Sequence, residues 1–126
     1  MAWNFDGSTP IYLQIVNILK GEIAGGAYPP GSRLPSVRDL ALEAGVNPNT
    51  MQRALAELER TGLVNAQRTA GRFITEDAPQ LTQLRYSMSE QIISELVERL
   101  RALGLSDEQI PDAVRAWIER DHSGQS

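Results

Sequence analysis

Residues 36–62 read SVRDLALEAGVNPNTMQRALAELERTG, a stretch that encodes two helices separated by a tight turn. Ser36 opens the first helix, and Asp39 three residues later completes a capping-box variant. Val37, Leu40 and Ala41 form its buried stripe, and Gly45 closes it after about two turns. Asn47 is a strong N-cap and Pro48 a strong first helical residue, so another helix starts there. Met51, Ala54, Leu55 and Leu58 make its inner face, and Gly62 is its stop.

Upstream, a helix is expected from Thr9 as N-cap with Pro10 at the first helical position. Ile11, Ile15, Ile18, Leu19 and Ile23 give it one apolar face, and Gly25 and Gly26 end it. The segment YPPGSRLP (residues 28–35) then reads as a rigid, turn-rich connection. Downstream of Gly62, two short strands fit LVNA (63–66) and RFIT (72–75). Gln67 to Gly71 is the turn between them, with Gly71 able to adopt a positive φ. Beyond Pro79 the period becomes helical again. Leu81, Leu84, Met88, Ile92, Ile93, Leu96, Val97, Leu100 and Leu103 define a long amphipathic helix stopped by Gly104. Ser106 and Gln109 form a capping box for a last helix carrying Ile110, Ala113, Val114, Trp117 and Ile118. Pro111 is expected to shorten or kink that helix.

The chain of 126 residues holds one domain, or a small domain with an appendage. It contains no cysteine, which excludes disulfides, thiolate metal sites and cysteine nucleophiles together. Its one histidine, His122, falls in the polar end and reads as inert. No catalytic residue, metal site or cofactor is therefore expected. No apolar run approaches the ~20 residues of a membrane span. The first residues lack a signal-peptide pattern, so a cytoplasmic protein is expected. The net charge is −4, yet residues 1–75 hold seven basic and six acidic side chains, whereas residues 76–126 hold five and ten. Charge by itself decides nothing between a sequence-specific binder and an ordinary surface.

Two helices joined at Gly45 are the core of a helix-turn-helix, a weak signal alone because short helix pairs are common. The outer face of the helix that begins at Pro48 sharpens it. Asn47, Asn49, Thr50, Gln52 and Arg53 cluster at its N-terminal end. Amides and arginine pair bidentately with adenine and guanine edges in the major groove. An ordinary solvated helix face is the bland alternative. The hairpin that follows tips the balance, because a wing in this position offers Arg68 and Arg72 to a DNA backbone or minor groove. The fold expected is mainly α with a small β-hairpin: a winged helix-turn-helix over residues 1–75, then a two-helix C-terminal dimerisation tail over residues 76–126.

The sequence resembles the GntR family of bacterial regulators, in its short YtrA-type subfamily. The resemblance runs through Pro10-Ile-Tyr-Leu-Gln14, Pro30-Gly-Ser-Arg-Leu-Pro-Ser36, Val37-Arg-Asp-Leu-Ala41 and Gly45-Val-Asn-Pro-Asn-Thr50. It continues in Arg53-Ala-Leu, Leu58-Glu-Arg-Thr-Gly-Leu63 and Arg68-Thr-Ala-Gly-Arg-Phe-Ile74. It implies a winged helix-turn-helix that reads palindromic DNA as a dimer. Family DNA contacts would fall on Arg33, Arg38, Asn49, Thr50, Gln52 or Arg53, and on the wing from Arg68 to Gly71. Pro48 stands where many members carry a DNA-touching arginine, and Thr69 where a glycine is usual. With Ser36, Asn47 and Arg72 from the local reading, these residues make the expected DNA-binding set.

Two tail helices cannot enclose the pocket of a few hundred Å³ that a metabolite needs, so no small-molecule effector is expected. An amphipathic helix must bury its stripe, and a second subunit is the natural cover. Met88, Ile92, Leu96, Leu100, Leu103 and Trp117 are the expected dimerisation residues, with Trp117 read as a packing residue. The expected partners are double-stranded operator DNA and a second copy of the chain, with no membrane, and the expected action is repression. The competing class is a winged-helix protein-interaction module without DNA. Arginines 33, 38, 53, 68 and 72 converging on one face would favour DNA.

Overall fold

Both caps of the deciding stretch form as the sequence requires in the computed structural model, which describes residues 3–124. Ser36 Oγ accepts the Asp39 N–H at 3.1 Å and opens a helix over Val37–Ala44; Asn47 Oδ1 accepts the Asn49 N–H at 2.8 Å and opens a helix over Pro48–Arg60. Counting from the first helix, α1 (Ile11–Ala24), these are α2 and α3. Between them Gly45 sits at φ 69°, where a side chain would be strained. The Val46 N–H then reaches the Ala41 carbonyl at 3.0 Å and the Gly45 N–H reaches Leu42 at 3.3 Å. This paired closure satisfies the last carbonyls of α2 and turns the chain directly into α3.

α1 differs from expectation at its start. Pro10 occupies the cap position rather than the first helical one, and no side chain caps this end. Gln14 holds the entering chain instead. Its Nε2 donates to the carbonyls of Asp6 and Thr9 at 2.8 Å each, and its Oε1 accepts the Asp6 N–H at 3.0 Å.

α1 and α2 both pack on α3. Ile15 and Leu19 of α1, Leu40 of α2, and Met51, Leu55 and Leu58 of α3 are all fully buried and share one cluster. Ile11, expected on the inner face, lies at the surface in the first turn of α1.

The wing consists of β1 (Val64–Gln67) and β2 (Gly71–Ile74), antiparallel, with Val64 opposite Ile74 and Gln67 opposite Gly71. Each strand is displaced by one residue from its expected span. The Thr75 N–H still donates to the Leu63 carbonyl at 2.9 Å, so pairing continues past the strand ends. The connection expected at residues 28–35 does more than turn. Arg33 bridges Phe73, the Leu34 N–H donates to the Arg72 carbonyl at 2.9 Å, and the Ile74 N–H donates to the Ser32 carbonyl at 2.9 Å. The outer edge of β2 is thus covered by an isolated bridge and the backbone hydrogen bonds of this segment, while the sheet itself stays two-stranded.

α4 (Ala78–Ala102) starts earlier than expected. Asp77 Oδ1 accepts the Gln80 N–H at 3.0 Å as an N-cap, and Pro79 sits in the first turn, where its missing N–H costs no helical bond. The chain forms two compact units, Met1–Tyr86 and Ser87–Ser126. The first extends past Thr75 because the start of α4 belongs to it. Leu81 is buried in the core, Leu84 packs against it, and Arg85 Nε donates to the Ala24 carbonyl at 3.2 Å.

In the second unit, Gly104 at φ 93° ends the helical run of α4, and Ser106 and Gln109 cap α5 (Gln109–Gly124) reciprocally at 2.9 and 3.2 Å. Arg101 pairs with Asp107 through two hydrogen bonds of 2.8 and 3.0 Å, which hold the Asp107 carboxyl below its ordinary range. Pro111 does not shorten α5, because it too lies in a first turn. His122, expected in a loose end, is helical. Trp117, expected to pack, is 59% exposed, and Ile92 (67%) and Leu103 (76%) are also open. Leu96, Leu100, Ala113, Val114 and Trp117 line an apolar cleft of about 370 Å³.

Leu81→Ala should lower the stability of the first unit by about 2–3 kcal/mol, the lower part of the range for a buried leucine. Urea denaturation of the full chain measures it. A fragment ending at Tyr86 should keep its fold, whereas one ending at Thr75 should be less stable by at least that amount.

Candidate nucleic-acid interface

With Met51, Ala54, Leu55 and Leu58 buried, helical geometry leaves the opposite face of α3 to Asn49, Gln52, Arg53 and Ala56, all exposed. Thr50 is half-buried at its margin. Pro48 and the Asn47 cap fix where this helix begins, and hence which side chains occupy its first two turns. The side-chain oxygens of Ser36 and Asn47 are both engaged in capping, so these two residues act first as the frame of the site.

Asn49, Thr50 and Arg53 meet Pro10, Ile11 and Tyr12 around an open depression of about 390 Å³. Arg53 does not extend freely from α3. Its guanidinium carbon lies 3.8 Å from the centroid of the Tyr12 ring, a cation–π stack.

On the wing, Arg33 and Gly71 come together. A Cβ at Gly71 would lie 2.8 Å from Arg33 Nε, and Gly71 itself sits at φ 105°. The backbone conformation favours glycine here, and the absent side chain lets the Arg33 guanidinium lie close over the turn. Arg68 stands exposed at the wing tip and Arg38 on the outer side of α2.

Arg72 does not join the free arginines. Its Nε donates to Glu59 Oε1 near the end of α3, with both side chains partly buried. It ties β2 to α3. Arg60 is likewise engaged: its Nε donates to Glu57 at 3.0 Å, and this hydrogen bonding holds the Glu57 carboxyl below its usual range. The bases at the C-terminal end of α3 are thus matched by carboxylates. Among the described residues, Arg33, Arg38, Arg53 and Arg68 form no ion pair. Exposed guanidinium groups without carboxylate partners are available to a polyanion.

Residues 11–74 match the model of the bacterial regulatory proteins of the gntR family. The chain belongs to the GntR family. It is 36% identical over 115 residues to YhcF, an uncharacterized HTH-type transcriptional regulator of Bacillus subtilis, covering 91% of this chain and 95% of that one. It is 35% identical over 113 residues to the transcriptional repressor YtrA of the same organism, covering 89% and 84%. The solved structure of a GntR family transcriptional regulator from Listeria monocytogenes is similar at a TM-score of 0.76 and 39% identity, over 92% of this chain and 98% of that one. The mainly α winged helix fold with its small hairpin is that of the GntR family. The chain is accordingly a DNA-binding transcriptional regulator of this family, and the family and its relatives are regulators rather than enzymes. Among the described residues no helix is long and apolar enough to cross a membrane.

Two site features lay outside the expectations drawn from sequence. Tyr12 supports Arg53, and Glu59 captures Arg72. Nothing local links residue 12 to residue 53. An acid near the end of α3 facing a wing arginine was a readable signal for the second pair.

Glu59→Gln should loosen the wing without unfolding the helices. Hydrogen exchange at residues 64–74 should accelerate several-fold. The loss in overall stability should be about 1 kcal/mol or less, as expected of a pair still partly open to solvent.

Proposed function

We propose that this GntR-family regulator is a repressor that binds a palindromic operator as a dimer, with α3 in the major groove and the wing beside it. The observation that carries the reading is the outer face of α3 with its flanking arginines. Amides and arginine occupy the first two turns of a helix whose position is fixed by its cap and its buried side. Asn49 and Gln52 have the donor–acceptor pair that matches adenine, and Thr50 stands beside them. Arg33 and Arg38 suit a guanine edge or a phosphate next to the groove. Arg68 suits the backbone or the minor groove.

Dimer formation is supported by the apolar side chains of α4 and α5. Met88, Ile92, Leu96, Leu100, Leu103 and Trp117 present more apolar surface than a solitary short tail would keep in water. A two-fold dimer reads two half-sites related by the same symmetry, which is why a palindrome follows. Repression is inferred from the similarity to YtrA, a repressor related over most of both chains. We further infer that operator binding needs no small-molecule co-ligand. The cleft lined by Leu96, Leu100 and Trp117 is apolar and offers few of the polar groups that orient a metabolite. The site of action is the bacterial cytoplasm, where the operator lies.

Selection from random double-stranded DNA tests the operator, and its consensus should be an inverted repeat. Against that consensus, Asn49→Ala or Gln52→Ala should relax preference at one base pair per half-site, at about 1–3 kcal/mol. Arg68→Ala should weaken binding on every variant alike and lower the slope of log K against log salt by about one unit. An unchanged ranking of operator variants in both amide mutants would rule out α3 as the reading helix. Leu96→Glu should shift the protein to monomer at micromolar concentration in light scattering and reduce operator affinity with it. A wild-type monomer at that concentration would refute the dimer.

A further inference from the structure

We infer that Tyr12 is a positioning residue for DNA binding: it holds Arg53 against the α1 side of α3, where the guanidinium meets a backbone phosphate rather than a base. The inference rests on the proposed docking of α3 in the groove.

Seen down the axis of α3, Gln52 and Arg53 leave the helix on opposite sides of Asn49, because successive residues turn by about 100°. Arg53 lies on the same flank as Thr50. Both line the depression that the start of α1 closes with Pro10, Ile11 and Tyr12. Asn49 borders the same depression, and the stack at 3.8 Å draws the Arg53 guanidinium past it toward α1, on the side away from Gln52. A helix lying in the major groove has base edges beneath it and phosphate walls at its sides. A cation held on the flank therefore meets the wall.

The stack also leaves the right atoms outward. A guanidinium centred over a ring binds it through its face and leaves N–H donors at its edge free for a phosphate oxygen. The platform is rigid. Tyr12 is half-buried and packs against the core, one helical turn is closed by Leu13 and Gln14 bonding to the Pro10 carbonyl, and Gln14 ties down the chain before it. Arg53 is thus placed before DNA arrives, and less side-chain freedom is lost on binding than a free arginine would lose.

The test uses the full-length protein on the selected operator and its single-base variants, with Tyr12→Leu, Tyr12→Phe, Arg53→Ala and the Tyr12→Leu/Arg53→Ala double variant. Tyr12→Leu should weaken binding about two- to fivefold, the range of an exposed cation–π contact, and equally on every variant. Tyr12→Phe, which keeps the ring, should recover most of that loss. Arg53→Ala should lower the salt slope by about one unit with the base ranking unchanged. The double variant should bind no more weakly than Arg53→Ala alone. Additive losses from the two substitutions, or a base ranking altered by Arg53→Ala, would overturn the inference. Should Tyr12→Leu not fold, the wild-type protein decides by NMR. The Arg53 Nε–H must resonate upfield of an unstacked arginine, and its absence there overturns the stack. If the wild-type protein selects no operator, the DNA-docking reading fails and the inference with it. If it selects one and the coupling is zero, only the role of Tyr12 fails.

Discussion

The one-sided burial of α3 is the constraint on which the rest of the winged unit depends. Met51, Ala54, Leu55 and Leu58 are in the core with Ile15 and Leu19 of α1 and Leu40 of α2. Rotating α3 by one residue would expose that set and bury Gln52 or Arg53, at a cost of several kcal/mol for each misplaced side chain. The hydrophobic effect thereby sets the azimuth of the polar face. Asn47 and Pro48 set its axial start, because the cap bond and the proline allow the helix to begin at only one place. Direction and register of the candidate reading residues are both consequences of burial and capping.

Electrostatics then divides the arginines of the first unit by position. At the C-terminal end of α3, Arg60 and Arg72 are matched by Glu57 and Glu59. Around its N-terminal half and on the wing, Arg33, Arg38, Arg53 and Arg68 are left without a carboxylate among the described residues. A chain of net charge −4 can address a polyanion because the local arrangement, rather than the total, sets the field at a groove. The matched pairs serve structure. Arg72 holds β2 to α3, and the wing takes its place from that bond and from the Arg33 segment on its other edge.

The second unit follows a different logic. Its helix ends are well satisfied, with reciprocal capping by Ser106 and Gln109 and a bidentate Arg101–Asp107 pair across the turn. Its apolar side chains are not satisfied by the single chain. Ile92, Leu96, Leu103 and Trp117 remain open, although Ile110 is buried. Secondary structure here is secured by local chemistry, while much of the apolar surface stays open.

The sequence by itself determined the elements that local chemistry controls. The helices around Gly45, the Asn47-Pro48 start, the Ser106/Gln109 box, the hairpin and the polar face of α3 were all legible, because caps, glycine stops and apolar period act within a few residues. Family membership was legible for the same reason, through motifs carried in short blocks. Only the tertiary structure decided what depends on distant partners. Arg33 bridges Phe73 because β2 lies beside its segment, and Arg72 turned inward because Glu59 is there. The first unit absorbed the start of α4 because Leu81 finds the core. Arg53 settled on Tyr12, and Trp117 stayed at the surface. Each of these outcomes is a contact between residues far apart in the chain, and no local pattern encodes which of the available partners a side chain will meet.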